Sequence, residues 1–438
     1  MNNRNSLLAG AGMGALALII AASPALAATP KKAQAANASA QKINTLKAEI
    51  DALRARLDAQ DAAQRETRAQ AAEAATQAAA AQAQVAEQAK AVPDQVKTAM
   101  DNAPKLKPQW FNDTSISGRM YFNVSSVKRE VNGAETEKDG GFLIKRFYLG
   151  VDHKFSDVFS GNITTDIDSV VGTSGSTIGK GLYVKKAYLQ AKLDKALVVR
   201  LGAADLPWVP YAEGIYGYRH IENTLADRTK FGTSADWGVH VMGEFANGLV
   251  SYQVSAVDGA GYRDPKFTKT VDIEGRVSVA YKGFNAGIGG YTGKLGKDQQ
   301  GVTTFHTANR LNALLAYKTK LFTIGGEYFQ AKNWTQVTSL VEDKAIGYSV
   351  FASVRPMDKV SVFGRYDWVK PKKDTVDTFK DRYFNVGVQY SPAKIVDLAL
   401  VYKREKADNG ILSTSNGNIG GSINGTYDEF GLFGQFRF

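Results

Sequence analysis

The chain has 438 residues, a formal net charge of +11 and no cysteine. The lack of cysteine excludes disulfides, thiolate metal sites and cysteine nucleophiles. Hydrophobic residues make up 44% of the chain and its mean hydropathy is −0.25; because no run beyond segment 1–27 approaches about 18 apolar residues, the sequence excludes a bundle of membrane-spanning helices.

Segment 1–27 has the pattern of a secretory signal peptide. Arg4 precedes an apolar core at 7–22, and the residues SPALA at 23–27 end in an A-x-A cleavage pattern. The core is about 16 residues long and Pro24 ends it, whereas a membrane-spanning helix needs roughly 20, so a retained anchor is the weaker alternative. We therefore expect an exported protein.

Residues 28–104 are rich in Ala, Gln, Glu, Lys and Arg and contain no aromatic residue. Within them, 40–92 carries a heptad seam that begins at Ile43, Leu46, Ile50, Leu53 and Leu57 and continues through Gln, Thr, Ala and Val positions. This pattern predicts a coiled coil between linkers at 28–39 and 93–109. A single copy of so weak a seam would be a marginal helix, so it needs partner chains.

From residue 114 onward the hydrophobic period changes to two, which predicts β-strands. Sixteen strands are expected, at 114–125, 142–155, 158–168, 182–193, 196–204, 236–246, 249–258, 271–282, 284–293, 309–319, 321–331, 345–355, 359–369, 381–391, 395–405 and 426–438. Their connections alternate between very short turns and longer polar loops, at 126–141, 169–181, 205–235, 259–270, 294–308, 332–344, 370–380 and 406–425. A soluble sandwich has no reason to separate loop lengths in this way, so 110–438 is predicted to be an all-β transmembrane barrel.

The last strand supports this prediction. Phe430, Leu432 and Phe436 share a face with the terminal Phe438, which resembles the C-terminal recognition strand of outer-membrane barrels. An open edge with so many aromatic residues would promote aggregation. We therefore expect the last strand to pair with the first and close the barrel.

If the apolar positions face lipid, the alternate positions face the lumen. Candidate anion-guiding residues there are Arg119, Arg146, Lys186, Arg200, Arg276, Arg310 and Arg365. The same face carries acidic residues, namely Asp166, Asp168, Glu244, Asp272, Glu274, Glu327 and Asp367. A dedicated anion path and a set of mutually paired charges are both compatible with this arrangement.

Loop 205–235 is the longest and is the third of the long loops. Its prolines and glycines suit a compact course, so we predict that it folds into the barrel and narrows the pore, with Arg219, Arg228 and Lys230 facing the solute. The alternatives are a cover over the barrel mouth or a subunit contact.

The sequence offers little for catalysis. Its four histidines, His153, His220, His240 and His306, lack the spacing of metal ligands. The Gly-rich run 287–290 lies in a strand pattern and opens no helix, so it is not a phosphate loop. We expect no enzyme activity, no metal, no cofactor and no nucleic-acid partner.

Segments KRFYLGV at 145–151, GNI at 161–163, KAYL at 186–189 and VRLG at 199–202 resemble the phosphate-selective porin O and P family, over roughly 110–438. The resemblance implies a trimer of 16-stranded barrels that takes up phosphate or other anions, and some members carry an N-terminal coiled coil. Arg146, Lys186 and Arg200 lie in the matching segments, so the resemblance implies that they belong to the anion path. The interspersed acids favour a broad or weakly anion-selective pore. Ile at heptad position a and Leu at heptad position d favour a two-stranded coiled coil. We nevertheless expect the barrels to impose the trimer.

We therefore expect a porin in the bacterial outer membrane that admits small hydrophilic solutes with a preference for anions, including phosphate. The alternative function is an envelope tether. About 50 heptad residues form a rod of roughly 75 Å, which would let a periplasmic coiled coil reach from the outer-membrane lipid toward peptidoglycan.

Overall fold

A computed structural model describes residues 110–167 and 181–438, together with scattered positions between 47 and 80. Two compact units, Met1–Ala103 and Pro104–Phe438, make up the chain. The described positions of the first unit are helical and exposed. The expected signal peptide, the linkers and most of the coiled-coil seam lie outside the described residues, so the coiled coil and the tether stay predictions. None of the described helices has the length and hydropathy needed to cross a membrane.

In the second unit, sixteen described strands form one closed antiparallel barrel, as the sequence predicted. The first eight are β1 Thr114–Val131, β2 Ala134–Lys154, β3 Phe159–Ile167, β4 Leu182–Asp194, β5 Leu197–Asp205, β6 Ala235–Phe245, β7 Val250–Val257 and β8 Asp272–Tyr281. The second eight are β9 Phe284–Gly293, β10 Ala308–Lys318, β11 Phe322–Lys332, β12 Lys344–Met357, β13 Val360–Lys370, β14 Lys380–Ala393, β15 Val396–Thr414 and β16 Gly417–Arg437. A 3-10 turn, Trp110–Asp113, precedes β1.

The barrel closes between β1 and β16. Arg119 pairs with Arg437 in this ladder, and the ladder continues beyond β16 because Phe438 N–H donates to the Gly118 carbonyl at 3.0 Å. The return bond, from Gly118 N–H to the Phe438 carbonyl, is 3.1 Å long. The expected closure of the aromatic C-terminal strand against the first strand is therefore confirmed.

Two of the expected long loops are in fact strand. The stretch expected as loop 126–141 belongs to β1 and β2, which meet at a two-residue turn, Asn132-Gly133. Both turn residues have positive φ, 51° and 83°, as a type I′ hairpin turn requires. Likewise, 406–425 is mostly β15 and β16, joined at 415–416. In these extensions both faces carry polar residues, so the apolar alternation that marked the other strands is lost.

The outward face is apolar and exposed, as expected for a surface that meets lipid. Ile116, Leu201 and Leu315 are 64%, 61% and 64% exposed. The buried residues instead line the inside of the barrel, where they meet the segment 206–234 between β5 and β6. The core of this protein is therefore the contact between one loop and the inner wall.

Candidate functional site

Segment 206–234, called the constriction loop below, lies against the inner wall of the barrel. It contains two short helices, α1 Val209–Tyr216 and α2 Leu225–Arg228. Trp208, at the start of α1, is fully buried; its backbone N–H donates to Glu274 at 3.0 Å and its indole Nε1–H to Glu327 at 2.7 Å. The prediction that this loop folds inward agrees with these contacts.

Aromatic stacking fixes the middle and the end of the constriction loop. Three pairs join a loop ring to a wall ring, with centroid distances of 3.9, 4.2 and 5.0 Å: Tyr216 with Phe351, Tyr218 with Phe363, and Phe231 with Phe329. Such contacts stabilise a packed loop beyond their buried area.

Glycines in β9 make room for the beginning of the loop. A Cβ at Gly287 would lie 2.6 Å from the ring of Tyr211, and one at Gly289 would lie 2.6 Å from the ring of Trp208. Only glycine allows so close an approach. The Gly-rich run 287–290 therefore serves loop packing.

Arg228 joins the loop to three strands through charge. Its guanidinium contacts Asp367 at 2.9 Å, Asp381 at 2.8 Å and Glu405 at 2.5 Å, and all four side chains are fully buried. Its fourth neighbour is the Tyr383 ring, with the centroid 4.5 Å away. Contrary to our expectation, Arg228 does not face a passing solute, because its guanidinium group is buried and paired with three carboxylates. We call Arg228 with Asp367, Asp381 and Glu405 the Arg228 clamp.

Three of the seven expected anion-guiding residues also hold the loop. Arg276 donates to the Pro207 carbonyl at 2.9 Å, Arg310 to that of Phe231 at 2.6 Å and Arg365 to that of Asn223 at 2.5 Å. Arg310 and Arg365 also pair with wall acids, Glu274 at 3.0 Å and Asp367 at 2.6 Å. For Arg310 and Arg365 the alternative of mutually paired charges describes the structure, whereas Arg276 bonds to the Pro207 carbonyl and to serine hydroxyls.

The other four lie on β1 to β5, opposite the docked loop. Arg119 is exposed and makes no ion pair within the described part of the chain. Arg146 binds Asp166 at 2.7 Å and Lys186 binds Asp205 at 2.5 Å. Arg200 donates to Gln190 at 2.8 Å and lies over the ring of Tyr188.

Two further lysines also face the lumen. Regular alternation would turn them outward, but β-bulges turn them inward. In the β1–β2 ladder, Tyr121 pairs with Arg146 and the next residue, Phe122, pairs with Ile144, so Lys145 is the extra residue. In the β3–β4 ladder, Lys185 is skipped in the same way. A bulge places two consecutive side chains on one face, so Lys145-Arg146 and Lys185-Lys186 both point into the barrel.

A cavity of about 520 Å³ separates the constriction loop from the β1–β5 wall. Its charged lining consists of six basic and two acidic residues, which are Arg119, Lys185, Lys186, Arg219, Lys394 and Arg437, with Asp205 and Glu213. Lys186 and Arg219 neutralise the two acids at 2.5 Å each, and Arg437 binds Asp397 at 2.8 Å. Arg119, Lys185 and Lys394 have no ion pair in the described structure. The cavity is therefore strongly electropositive.

Two buried groups of the loop, His220 and Glu222, keep one charge state near neutral pH. Burial lowers the pKa of His220 to about 3, so its ring is neutral. Burial alone would raise the pKa of Glu222, but Lys403 and Lys145 outweigh it and lower this pKa, so Glu222 is ionised. Of the three cations expected to face the solute, only Arg219 lines the cavity. Lys230 is exposed, and its carbonyl accepts a bond from Trp334 at 2.9 Å.

Residues 110–167 and 181–438 contain no group of three or more His, Asp or Glu side chains that could hold a metal ion.

No protein-family model and no curated protein matches this sequence. Solved structures are similar, among them an anion-selective porin from Comamonas acidovorans, with a TM-score of 0.55, 14% identity, and coverage of 74% of this chain and 99% of that one. The outer membrane channel DcaP of Acinetobacter baumannii has a TM-score of 0.51 and 13% identity, covering 74% and 97%. Salmonella typhi OmpF in complex with daunomycin has a TM-score of 0.51 and 11% identity, covering 75% and 99%. At these identities, what this chain shares with the outer-membrane porins is their barrel fold.

Proposed function

We propose that this protein is an outer-membrane porin that passes small hydrophilic solutes and favours anions. The observation that carries the proposal is the cavity beside the constriction loop, where six basic residues face two acidic ones and both acids are already paired. Fixed charge of one sign in a narrow, low-dielectric passage raises the local concentration of the opposite ion. The similarity to an anion-selective porin agrees with this reading.

The proposal includes location and assembly. The apolar outward face requires lipid around the barrel, and the expected signal peptide would direct the chain across the inner membrane. We propose that three copies assemble, in keeping with the family that the sequence resembles. Phosphate remains among the candidate solutes.

Salt-gradient recordings in planar bilayers test the anion preference. The refolded protein should conduct, and its reversal potential in a KCl gradient should have the sign of chloride permeation. Replacing the three cations without ion pairs, as R119Q, K185Q and K394Q together, should lower the chloride-to-potassium permeability ratio by about twofold to tenfold.

The matched control removes the same charge elsewhere. Lys195, Lys282 and Lys320 are exposed on short turns outside the cavity, so K195Q, K282Q and K320Q together should leave the ratio near its original value. Folded protein that never conducts would refute the porin function. Equal shifts in both triple variants would show that the cavity does not set selectivity.

A further inference from the structure

Lys185 is a buried cation without a counter-ion. It is 8% exposed and lines the cavity, yet it makes no ion pair in the described part of the chain. The acid across the cavity, Glu213, is bound by Arg219 at 2.5 Å. Burying an ammonium group costs free energy unless an anion or strong hydrogen bonds compensate. No carboxylate in the described residues pairs with the positive charge at this point.

Aromatic rings surround this ammonium group. Its Nζ lies 4.6 Å from the centroid of the Tyr148 ring, 6.0 Å from that of Tyr262, and 3.4 Å from the Tyr148 hydroxyl. Tyr148 in turn meets Tyr121 edge to face at 5.7 Å, and both tyrosines line the cavity. A solute that reaches the charge must therefore also contact ring surface.

The charges around Lys185 argue against a multiply charged ligand. Tetrahedral phosphate, which carries up to two charges at neutral pH, is bound best by several converging donors that are free to bind it. The neighbouring cations Arg146, Lys186 and Arg219 already bind carboxylates at 2.7, 2.5 and 2.5 Å. Arg119, which also lacks an ion pair in the described residues, is exposed and donates to the Tyr121 hydroxyl at 3.4 Å. Lys185 is the buried cation among the unpaired ones of this cavity, and its place beside two phenol rings suits a monoanion with a flat apolar body.

We propose that Lys185, Tyr148 and Tyr121 form a binding subsite for aromatic monocarboxylates within the pore. The carboxylate pairs with the Lys185 ammonium group, and the aromatic ring of the solute packs against the two tyrosines. This inference rests on the proposed porin function and names a substrate class for it. The bulge in β4 creates the subsite, since regular alternation would turn Lys185 toward lipid.

Block of the chloride current tests the subsite, with benzoate, cyclohexanecarboxylate and inorganic phosphate as probes. The two carboxylates have the same charge and similar size but differ in aromaticity. Benzoate should block saturably, with an affinity about threefold to tenfold above that of cyclohexanecarboxylate, which is the expected contribution of ring contacts. Phosphate should block more weakly than benzoate.

Two variants separate the contribution of the Lys185 charge to benzoate block from that of the tyrosine rings. K185Q should weaken benzoate block by at least about tenfold, because it removes the paired charge. Y148L should retain carboxylate block while losing the preference for benzoate over cyclohexanecarboxylate. The control K195Q changes an exposed turn residue outside the cavity. Benzoate should block its chloride current as it blocks that of the wild type. Open-channel conductance and heat-modifiable electrophoretic mobility report that each variant is folded.

The outcomes distinguish this inference from the proposed function. A conducting wild-type pore that benzoate does not block, or that all three probes block equally, overturns the subsite and leaves the porin function intact. Unchanged benzoate block in K185Q also overturns it. A folded protein without any conductance overturns both proposals.

Discussion

Arginine and lysine side chains inside this barrel have two different uses. Arg228 is fully buried among Asp367, Asp381 and Glu405, so its charge stabilises the loop and is hidden from solutes. Lys185 is nearly as buried but has no acidic partner in the described residues. Because both side chains are buried cations, the presence or absence of a carboxylate partner decides which of them can attract an anion.

Replacement of Arg228 by methionine should release the constriction loop. Three buried carboxylates would lose their common cation, and breaking a buried pair costs about 3–5 kcal/mol. The strand ladders do not depend on this contact, so the barrel should remain folded while the loop undocks. We expect single-channel currents that are larger and fluctuate more, together with tryptic cleavage within 219–230.

The control is K230M, which removes an exposed cation two residues farther along the same loop. It should behave like the wild type. Quiet, wild-type currents in the Arg228 variant would contradict a role for the Arg228 clamp in holding the loop.

At the scale of strands and loops, the sequence was informative where one physical rule applied throughout. Alternation between lipid and lumen gave sixteen strands, and the length of loop 205–235 indicated its inward course. Alternation failed at Lys145 and Lys185 because a bulge adds one residue without interrupting the apolar pattern around it. Two adjacent lysine or arginine residues inside a strand, 145–146 and 185–186, were the available signal, since regular alternation would turn one of them into lipid.

Other features lay beyond any local rule. The carboxylates that bind Arg228 are 139 to 177 residues away in the chain, so no sequence spacing relates them to it. The hairpin between β1 and β2 was missed for a different reason: outside the apolar band both strand faces are polar, and only the Asn132-Gly133 pair indicated a turn.

Deletion of Lys185 should remove the bulge and leave the barrel intact. Val184 pairs with Thr165, and Lys186 pairs with Thr164, so without Lys185 both ladders become continuous and the alternation is preserved. The deletion variant should show the heat-modifiable mobility of a folded barrel. Its chloride-to-potassium permeability ratio should fall about twofold or more, because one lumen charge is lost.

Deletion of Ala187 is the matched control. It would also close the bulge, but Lys185 would then pair with Thr164 and Lys186 would take the outward position of Ala187 opposite Ile163, which places a charge on the apolar outer face at a cost of about 2–4 kcal/mol. That variant should fail to fold. If instead the Lys185 deletion fails and the Ala187 deletion folds, the register described here for β4 is wrong.

At the scale of the whole molecule, the outward face of the barrel is not uniform. Tyr281, Tyr348, Tyr366 and Tyr390 are 57%, 42%, 40% and 49% exposed on the strands from β8 to β14. Tyrosine is enriched where a barrel meets the membrane–water interface. In the described residues of β3 to β5, by contrast, the exposed large hydrophobic side chains are all aliphatic. A depression of about 400 Å³ lies around Gly161 and Ala187, with Phe155 from the turn after β2 in its lining.

This difference suggests which side of the barrel meets another subunit. Lipid chains can fill a shallow depression, but they do not explain why exposed tyrosines are missing from β3 to β5. A neighbouring copy would explain both observations, because a subunit contact needs close packing and no interfacial anchors. We therefore predict that the outward face of β3 to β5 forms the contact between copies in the proposed trimer.

A tryptophan at Ala187 should separate the subunits without unfolding them. Lipid would accommodate the larger side chain, whereas a packed protein contact would be strained by about 1–3 kcal/mol. Because the interfaces of a symmetric trimer are identical, the same strain would occur at each of them. The control is A286W, since Ala286 is outward and exposed on β9, far from β4 in the strand order. Light scattering of the detergent-solubilised proteins should give trimers for the wild type and A286W, and folded monomers for A187W. Trimers in all three would place the subunit contact elsewhere on the barrel, and a monomeric wild type would refute the trimer itself.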